Sequence, residues 1–190
     1  MSTAATMSAP PLPLLTAEEF AERPDPGYPE ELVRGRIVPM STPRARHGQI
    51  CAKAVRILGN FVDEHDLGHV LCNDSGIITE RGPDSVRGAD LAFYSHARLP
   101  KGPLPNTYPD VVPELVIEVR SPSDRWPQIL AKVAEYLEAG VTVVVVLDDA
   151  RREADVFGVE GPRRRLGAED ALEVPELLPG FTVAIRRFLD

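Results

Sequence analysis

Val112-Pro113-Glu114-Leu115-Val116-Ile117-Glu118-Val119-Arg120-Ser121-Pro122 reads as a buried strand with an acid set inside it. Leu115, Val116, Ile117 and Val119 form a short apolar run, mostly β-branched and closed by Ser-Pro, the pattern of an interior strand covered on both faces. An ionised carboxylate at Glu118 would cost on the order of several kcal/mol there unless a cation or hydrogen bonds offset it. A positive group is therefore expected against it. Side chains alternate along a strand, so Glu118 and Arg120 are expected on one face, with Ile117 and Val119 on the other.

Downstream, Ser121-Pro122-Ser123-Asp124 offers caps for a helix from Asp124 or Arg125 to Ala139, which Gly140 ends. Trp126, Ile129, Val133, Tyr136 and Leu137 make its apolar stripe. Lys132 flanks that stripe, a position from which lysines usually snorkel to water. Val141 to Leu147 is an uninterrupted β-branched run, hence a central strand, and strand-helix-strand from Glu114 to Leu147 predicts a right-handed parallel crossover. Ala154 to Val159 and Phe181 to Ile185 add strands.

Upstream, Gly88-Ala89-Asp90-Leu91-Ala92-Phe93 puts Leu91 and Phe93 on one strand face and Asp90 on the other, as a second carboxylate candidate or as an ordinary edge aspartate. His69 to Glu80 reads as its antiparallel neighbour. Ala45 to His65 spaces Cys51, Val55, Leu58 and Phe61/Val62 as one helical stripe. His47 lies one turn before Cys51 and follows Arg44 and Arg46, which suits either a solvated helix start or contact with a phosphate. Glu31 to Val38 predicts two short strands about Arg34-Gly35, and Thr16-Ala17-Glu18-Glu19 has the form of a capping box. Residues 1–15, rich in Ala, Ser, Thr and Pro, are expected to be a disordered tail, and 16–190 a single domain.

A chain of 190 residues can bury a core without a metal or disulfide. It has no apolar run long enough for a membrane span and no signal-peptide pattern, so a cytoplasmic protein is expected. Cys51 and Cys72 lie outside any CxxC spacing and read as reduced core thiols. A net charge of −8 argues against indiscriminate attraction to nucleic acid or anionic membranes. Yet Leu32 to Val62 holds no acid while carrying Arg34, Arg36, Arg44, Arg46, Lys53 and Arg56.

Asp90, Glu118 with Arg120, and Lys132 thus fall in one βαβ context. Two carboxylates on adjacent strands suit a hard divalent cation that keeps waters and takes phosphate oxygens, with a nearby cation to neutralise developing charge. GxGxxG, P-loop, GxSxG and histidine-rich zinc spacings are absent.

Several ordered pieces resemble the PD-(D/E)XK nuclease superfamily and, within it, the Uma-two branch of restriction-endonuclease-like proteins. These are Glu31-Leu32 with Gly35, Arg46-His47, Gly68 with Val70, Gly88 to Phe93, Pro113 to Asp124, Lys132 with Glu135-Tyr136, Ala139-Gly140-Val141 and Leu178-Pro179-Gly180-Phe181. The resemblance implies an α/β (mixed α+β) fold, a restriction-endonuclease-like core with a mixed central β-sheet flanked by helices. It implies metal ligation by Asp90, Glu118 and the main-chain carbonyl of Val119, and Glu31 as an additional acid. Arg120 occupies the position of the superfamily's lysine, whose function looks relocated to Lys132. A guanidinium does not release its proton, so Arg120 is suited to holding a phosphate or pairing with Glu118 rather than to general-base work.

The expected activity is a Mg²⁺-dependent endonuclease, with Mn²⁺ as the other candidate ion, hydrolysing DNA phosphodiesters; RNA stays open as a substrate. Catalytic candidates are Asp90, Glu118, Lys132, Arg120 and Glu31; nucleic-acid contacts are Arg44, Arg46 and His47; a homodimer is expected. The rival readings are a catalytically inactive nucleic-acid- or partner-binding module on the same fold, and a purely structural ion network.

Overall fold

The structure, a computed structural model, describes residues 13–159 and 161–190. The expected tail lies outside the described residues as far as residue 12. Leu15 donates its N–H to the Gly35 carbonyl at 2.9 Å and packs beside Ala17, Leu32 and Val86.

The capping box forms as the residue types dictate. Thr16 Oγ1 accepts the Glu19 N–H and Glu19 returns a carboxylate to the Thr16 N–H, starting α1 (Ala17–Ala21). The hairpin β1 (Glu30–Val33) and β2 (Arg36–Pro39) follows, then α2 (Ala45–Glu64) and the long antiparallel pair β3 (Gly68–Glu80) and β4 (Ser85–Ser95). After β5 (Leu115–Val119), α3 (Trp126–Ala139) crosses to β6 (Val143–Asp148), which runs parallel to β5. Antiparallel β7 (Glu153–Gly158) and β8 (Arg164–Gly167) extend the sheet. A separate two-stranded sheet of β9 (Ala171–Glu173) and β10 (Thr182–Ala184), and the short helix α4 (Arg186–Leu189), complete the described elements. The strand expected at Phe181 to Ile185 therefore belongs to this minor sheet, not to the central one.

The main sheet is ordered β2-β1-β4-β5-β6-β7-β8, with β3 along the other edge of β4. Alternation sorts its residues onto two helices. Leu91, Phe93, Leu115, Ile117, Val119, Val145 and Leu147 meet Ile50, Ala54, Leu58 and Val62 of α2. Ala92, Tyr94, Val116, Val144 and Val146 meet Val133 and Tyr136 of α3. Covering on both faces explains why β5 and β6 are almost continuously apolar, each fully buried Leu, Ile or Val contributing about 1.5–3 kcal/mol.

The caps expected for α3 do not form. The helix starts after Arg125 without a side-chain cap, and Asp124 instead accepts the Ser121 N–H at 2.7 Å. Pro127, in the first turn, removes one of the amides a cap would have satisfied. Gly140 ends the helix as expected, at φ 103°, where a side chain would be strained.

Candidate active site

Glu118 stands one residue from the end of β5 on the α3 side of the sheet. Lys132 and Tyr136, four residues apart on α3, both reach it: Lys132 Nζ lies 3.1 Å from Glu118 Oε1, and the Tyr136 hydroxyl donates to the same oxygen at 2.9 Å. The cation expected against Glu118 is therefore Lys132, turned inward rather than snorkelling. Its ammonium also meets Glu31 Oε1 at 3.2 Å and the Gly88 carbonyl at 2.7 Å, so three acceptors surround its three donors.

Glu31, buried on β1, accepts the Gly88 N–H at 3.1 Å and pairs with Arg87 at 2.9 Å; Arg87 in turn forks onto Glu135 of α3. Gly88 thus supplies both its N–H and its carbonyl to the cluster. A Cβ there would come within 2.9 Å of Asp74, so only glycine permits this approach.

Burial pushes the Glu118 carboxyl up to about 7, with the Asp90 charge adding to the rise and Lys132 opposing it. Burial alone would lower the Lys132 ammonium, but Glu118 and Glu31 outweigh it and hold the group above its ordinary range, hence charged at neutral pH. Tyr136 is pushed well up by burial and the neighbouring Glu118 carboxylate, so its phenol stays protonated and donates.

Asp90 sits across from Glu118 if the Leu91–Ile117 register is carried one position further. Asp90 Oδ2 accepts the Val119 N–H at 2.7 Å, locking the two strands together at the site. Opposite Asp90, β3 bulges: Cys72 pairs with Leu91 and Ser75 with Ala89, leaving Asn73 and Asp74 against one residue. Both adopt left-handed backbone, φ 61° and 55°, which Asn and Asp tolerate better than most residues. Asp74 is exposed, yet its carboxyl is pushed up by partial desolvation and then by Asp90, so a third acid belongs to this locality. Asn-Asp-Ser-Gly inside a strand pattern was the available signal for it.

On the far side of Asp90 lies the start of α2. His47 Nε2 is 3.3 Å from Asp90 Oδ2, and Cys51 Sγ is 3.5 Å from Oδ1. The hydrogen bond to Asp90 raises the His47 pKa against the effect of burial, and a backbone hydrogen bond to Val119 adds to the rise. Burial, then Asp90, pushes the Cys51 thiol up, so it stays protonated. His47, Cys51 and Asp90 each offer a ligand atom within 4.8 Å of the others.

Other expected site residues are placed differently. Arg120 lines the same small cleft as Glu118, about 30 Å³ in volume, but does not pair with it. It lies past the end of β5, where its guanidinium binds Asp148 at 3.0 Å and the Asp124 carbonyl at 3.2 Å and stacks over Trp126. Arg46 is occupied by Asp149, Gln49 and the Leu189 carbonyl. Arg44 is exposed at the N-cap of α2, and His47 faces Asp90 rather than solvent. Lys53 and Arg56 further along α2, and Arg187 of α4, have no ion-pair partner among the described residues, and with Ile57, Asn60, Arg186 and Asp190 they line a groove of about 530 Å³. Among the described residues no helix is long and apolar enough to cross a membrane.

The donor set fits a divalent cation. An imidazole from α2 and a carboxylate from β4 meet here, and 3.3 Å between His47 Nε2 and Asp90 Oδ2 is close to the roughly 3 Å between adjacent ligands of a six-coordinate ion with bonds of about 2.1 Å; Glu118, held by Lys132, is not part of the His47, Cys51 and Asp90 cluster.

The family described as "Uma2: Putative restriction endonuclease" has a model that matches residues 17–186 of this chain. Among solved structures, "a putative nuclease belonging to DUF820 from Anabaena variabilis ATCC 29413" is similar at a TM-score of 0.80 and 17% identity, over 92% of this chain and 97% of that one. At that identity the likeness is one of fold. No curated protein matches.

Proposed function

Because the chain belongs to the Uma2 family, we propose that it is a divalent-metal-dependent nuclease that hydrolyses phosphodiester bonds of DNA, working as one catalytic domain from residue 16 onward. Asp90, Glu118 and the Val119 carbonyl would hold the ion, Mg²⁺ or Mn²⁺. When bound, such an ion would polarise a phosphoryl oxygen and make a nearby water more acidic. The observation that carries the reading is Lys132 Nζ at 3.1 Å from Glu118, beside Asp90 on the neighbouring strand.

Lys132, charged at neutral pH and with its three donors already engaged, acts as a fixed positive charge that offsets charge developing on the phosphate, without serving as general base. Glu31 holds Lys132 in place and closes the back of the site through Gly88. Tyr136 keeps the Glu118 carboxylate aimed. Arg120, fixed by Asp148 in the cleft that Glu118 lines, holds a phosphate oxygen at the mouth. The cationic groove between α2 and α4 supports a polyanionic substrate, because it concentrates unpaired positive charge in a chain of net charge −8. Cutting both strands of a duplex calls for two sites, which a homodimer in the cytoplasm would supply.

The test is plasmid cleavage by the full chain with Mg²⁺ or Mn²⁺. Wild type is expected to nick and linearise, with Glu118→Ala and Asp90→Ala inactive. Cleavage that survives both substitutions removes this site as its source. Salt-dependent DNA binding without cleavage under any ion marks the inactive binding module instead.

A further inference from the structure

His47 and Cys51 leave α2 four residues apart on one helix face and converge on Asp90 from the side opposite the Lys132 cluster. Lys132, Tyr136 and Glu31 are satisfied by Glu118, Gly88 and Arg87, whereas the His47 ring has its two nitrogens divided between different partners. Nδ1 is 3.4 Å from Cys51 Sγ, and Nε2 is 3.3 Å from Asp90 Oδ2. A histidine held through one ring nitrogen while the other points at an acidic ligand has the arrangement of a metal-binding imidazole, with the sulfur as the outer partner that fixes its orientation. Only the His47 Nε2 and Asp90 Oδ2 pair, 3.3 Å apart, has the spacing of adjacent positions around a single ion, with the Cys51 sulfur in the same cluster as the ring's partner.

We propose that His47 binds, through Nε2, the same divalent ion as Asp90, that Cys51 positions its ring, and that this nitrogen biases the site toward Co²⁺ and Mn²⁺ over Mg²⁺. Mg²⁺ holds oxygen ligands and water, while an imidazole nitrogen strengthens binding of first-row transition ions, Co²⁺ more than Mn²⁺. The inference rests on Asp90 being a metal ligand, as in the function proposed above. It adds a ligand from α2 that the strand carboxylates alone do not supply.

Calorimetry of the metal-stripped full chain with CoCl₂, MnCl₂ and MgCl₂ tests it. In His47→Gln, Co²⁺ affinity is expected to fall by about tenfold or more, while Mg²⁺ affinity stays within about a factor of three. Pulsed EPR of the Mn²⁺-loaded wild type provides a readout that needs no variant: hyperfine modulation from a directly bound imidazole nitrogen supports the assignment, and its absence overturns it. Co²⁺ and Mg²⁺ affinities that fall equally in His47→Gln, or do not fall, also overturn it. If Asp90→Ala abolishes ion binding and His47→Gln does not, this inference fails and the nuclease reading stands. If wild type binds none of the three ions, both fail.

Discussion

Replacing Lys132 with Met keeps most of the side-chain volume but removes the ammonium that three buried acceptors share. Glu118 and Glu31 are 16% and 5% exposed and Lys132 itself 20%, so little water is available to replace it. Removing one partner of a buried pair costs about 3–5 kcal/mol, because the charge left behind is uncompensated. For a chain of this size that corresponds to a fall in Tm of roughly 6–20 °C. The loss depends on pH in a definite direction. In the variant Glu118, already raised to about 7, can relieve the strain by protonating, which is easy at pH 5 and costly at pH 8, so the stability gap from wild type must widen as pH rises. Urea denaturation in a chelating buffer at those two pH values measures it, and chelation keeps an ion from substituting for the lysine. Placing the same change in a Glu118→Gln background should shrink the penalty. A loss under about 1 kcal/mol, or one equal at the two pH values, would show that Lys132 does not compensate these acids and would refute the electrostatic account of the site.

Three further outcomes follow from the same geometry. Glu118 titrates at about 7 in the fold against an ordinary 4.5, so the folded chain binds the extra proton between those values; its stabilising contribution is full below 4.5 and is lost as pH rises through 7, on the order of 3 kcal/mol in metal-free buffer. Glu118→Gln should flatten that slope, and an unchanged slope in denaturant titrations would assign it to other groups. Asp90→Asn, which keeps the shape but removes the charge that accepts the Val119 N–H and is proposed to bind the ion, should lower plasmid cleavage by about a hundredfold or more in initial-rate assays, and near-normal rates would exclude Asp90 as a ligand. The combined change Lys53→Glu, Arg56→Glu and Arg187→Glu should reduce the slope of log affinity against log salt for duplex DNA by roughly 2–3, read by fluorescence anisotropy, and an unaltered slope would mean the groove does not touch the backbone.

The elements that carry the site were readable wherever a local pattern and its tertiary surroundings agree. The apolar run about Glu118, the β-branched run before Asp148 and the stripe of α3 each announce burial through composition alone, and the acid in β5 stood out against it. The bulge at Asn73 and Asp74 was not foreseen because both are ordinary turn formers until a partner strand is supplied. Alternation places Arg120 beside Glu118, but the strand ends at Val119, and Asp148, far along the chain, together with the nearby Trp126 draws the guanidinium aside. In sequence His47 suits a solvated helix start or a phosphate contact, since nothing local predicts that Asp90 meets it. Lys132 departed from the usual behaviour of its residue type because two carboxylates and a carbonyl, contributed by three different strands, offset its desolvation. Tyr136 was assigned to the core, and it is buried there, yet its hydroxyl has a second use.

The cluster draws on β1, α2, β4, β5 and α3, so no contiguous fragment shorter than the stretch from Glu31 to Tyr136 contains it. A nascent chain leaving the ribosome carries Asp90 and Glu118 well before Lys132 emerges, and β5 gains its parallel partner only after the crossover has been translated. On the function proposed above, the ability to cut would depend on completion of the sheet, and a chain stalled or cleaved before α3 would be harmless to the nucleic acid around it.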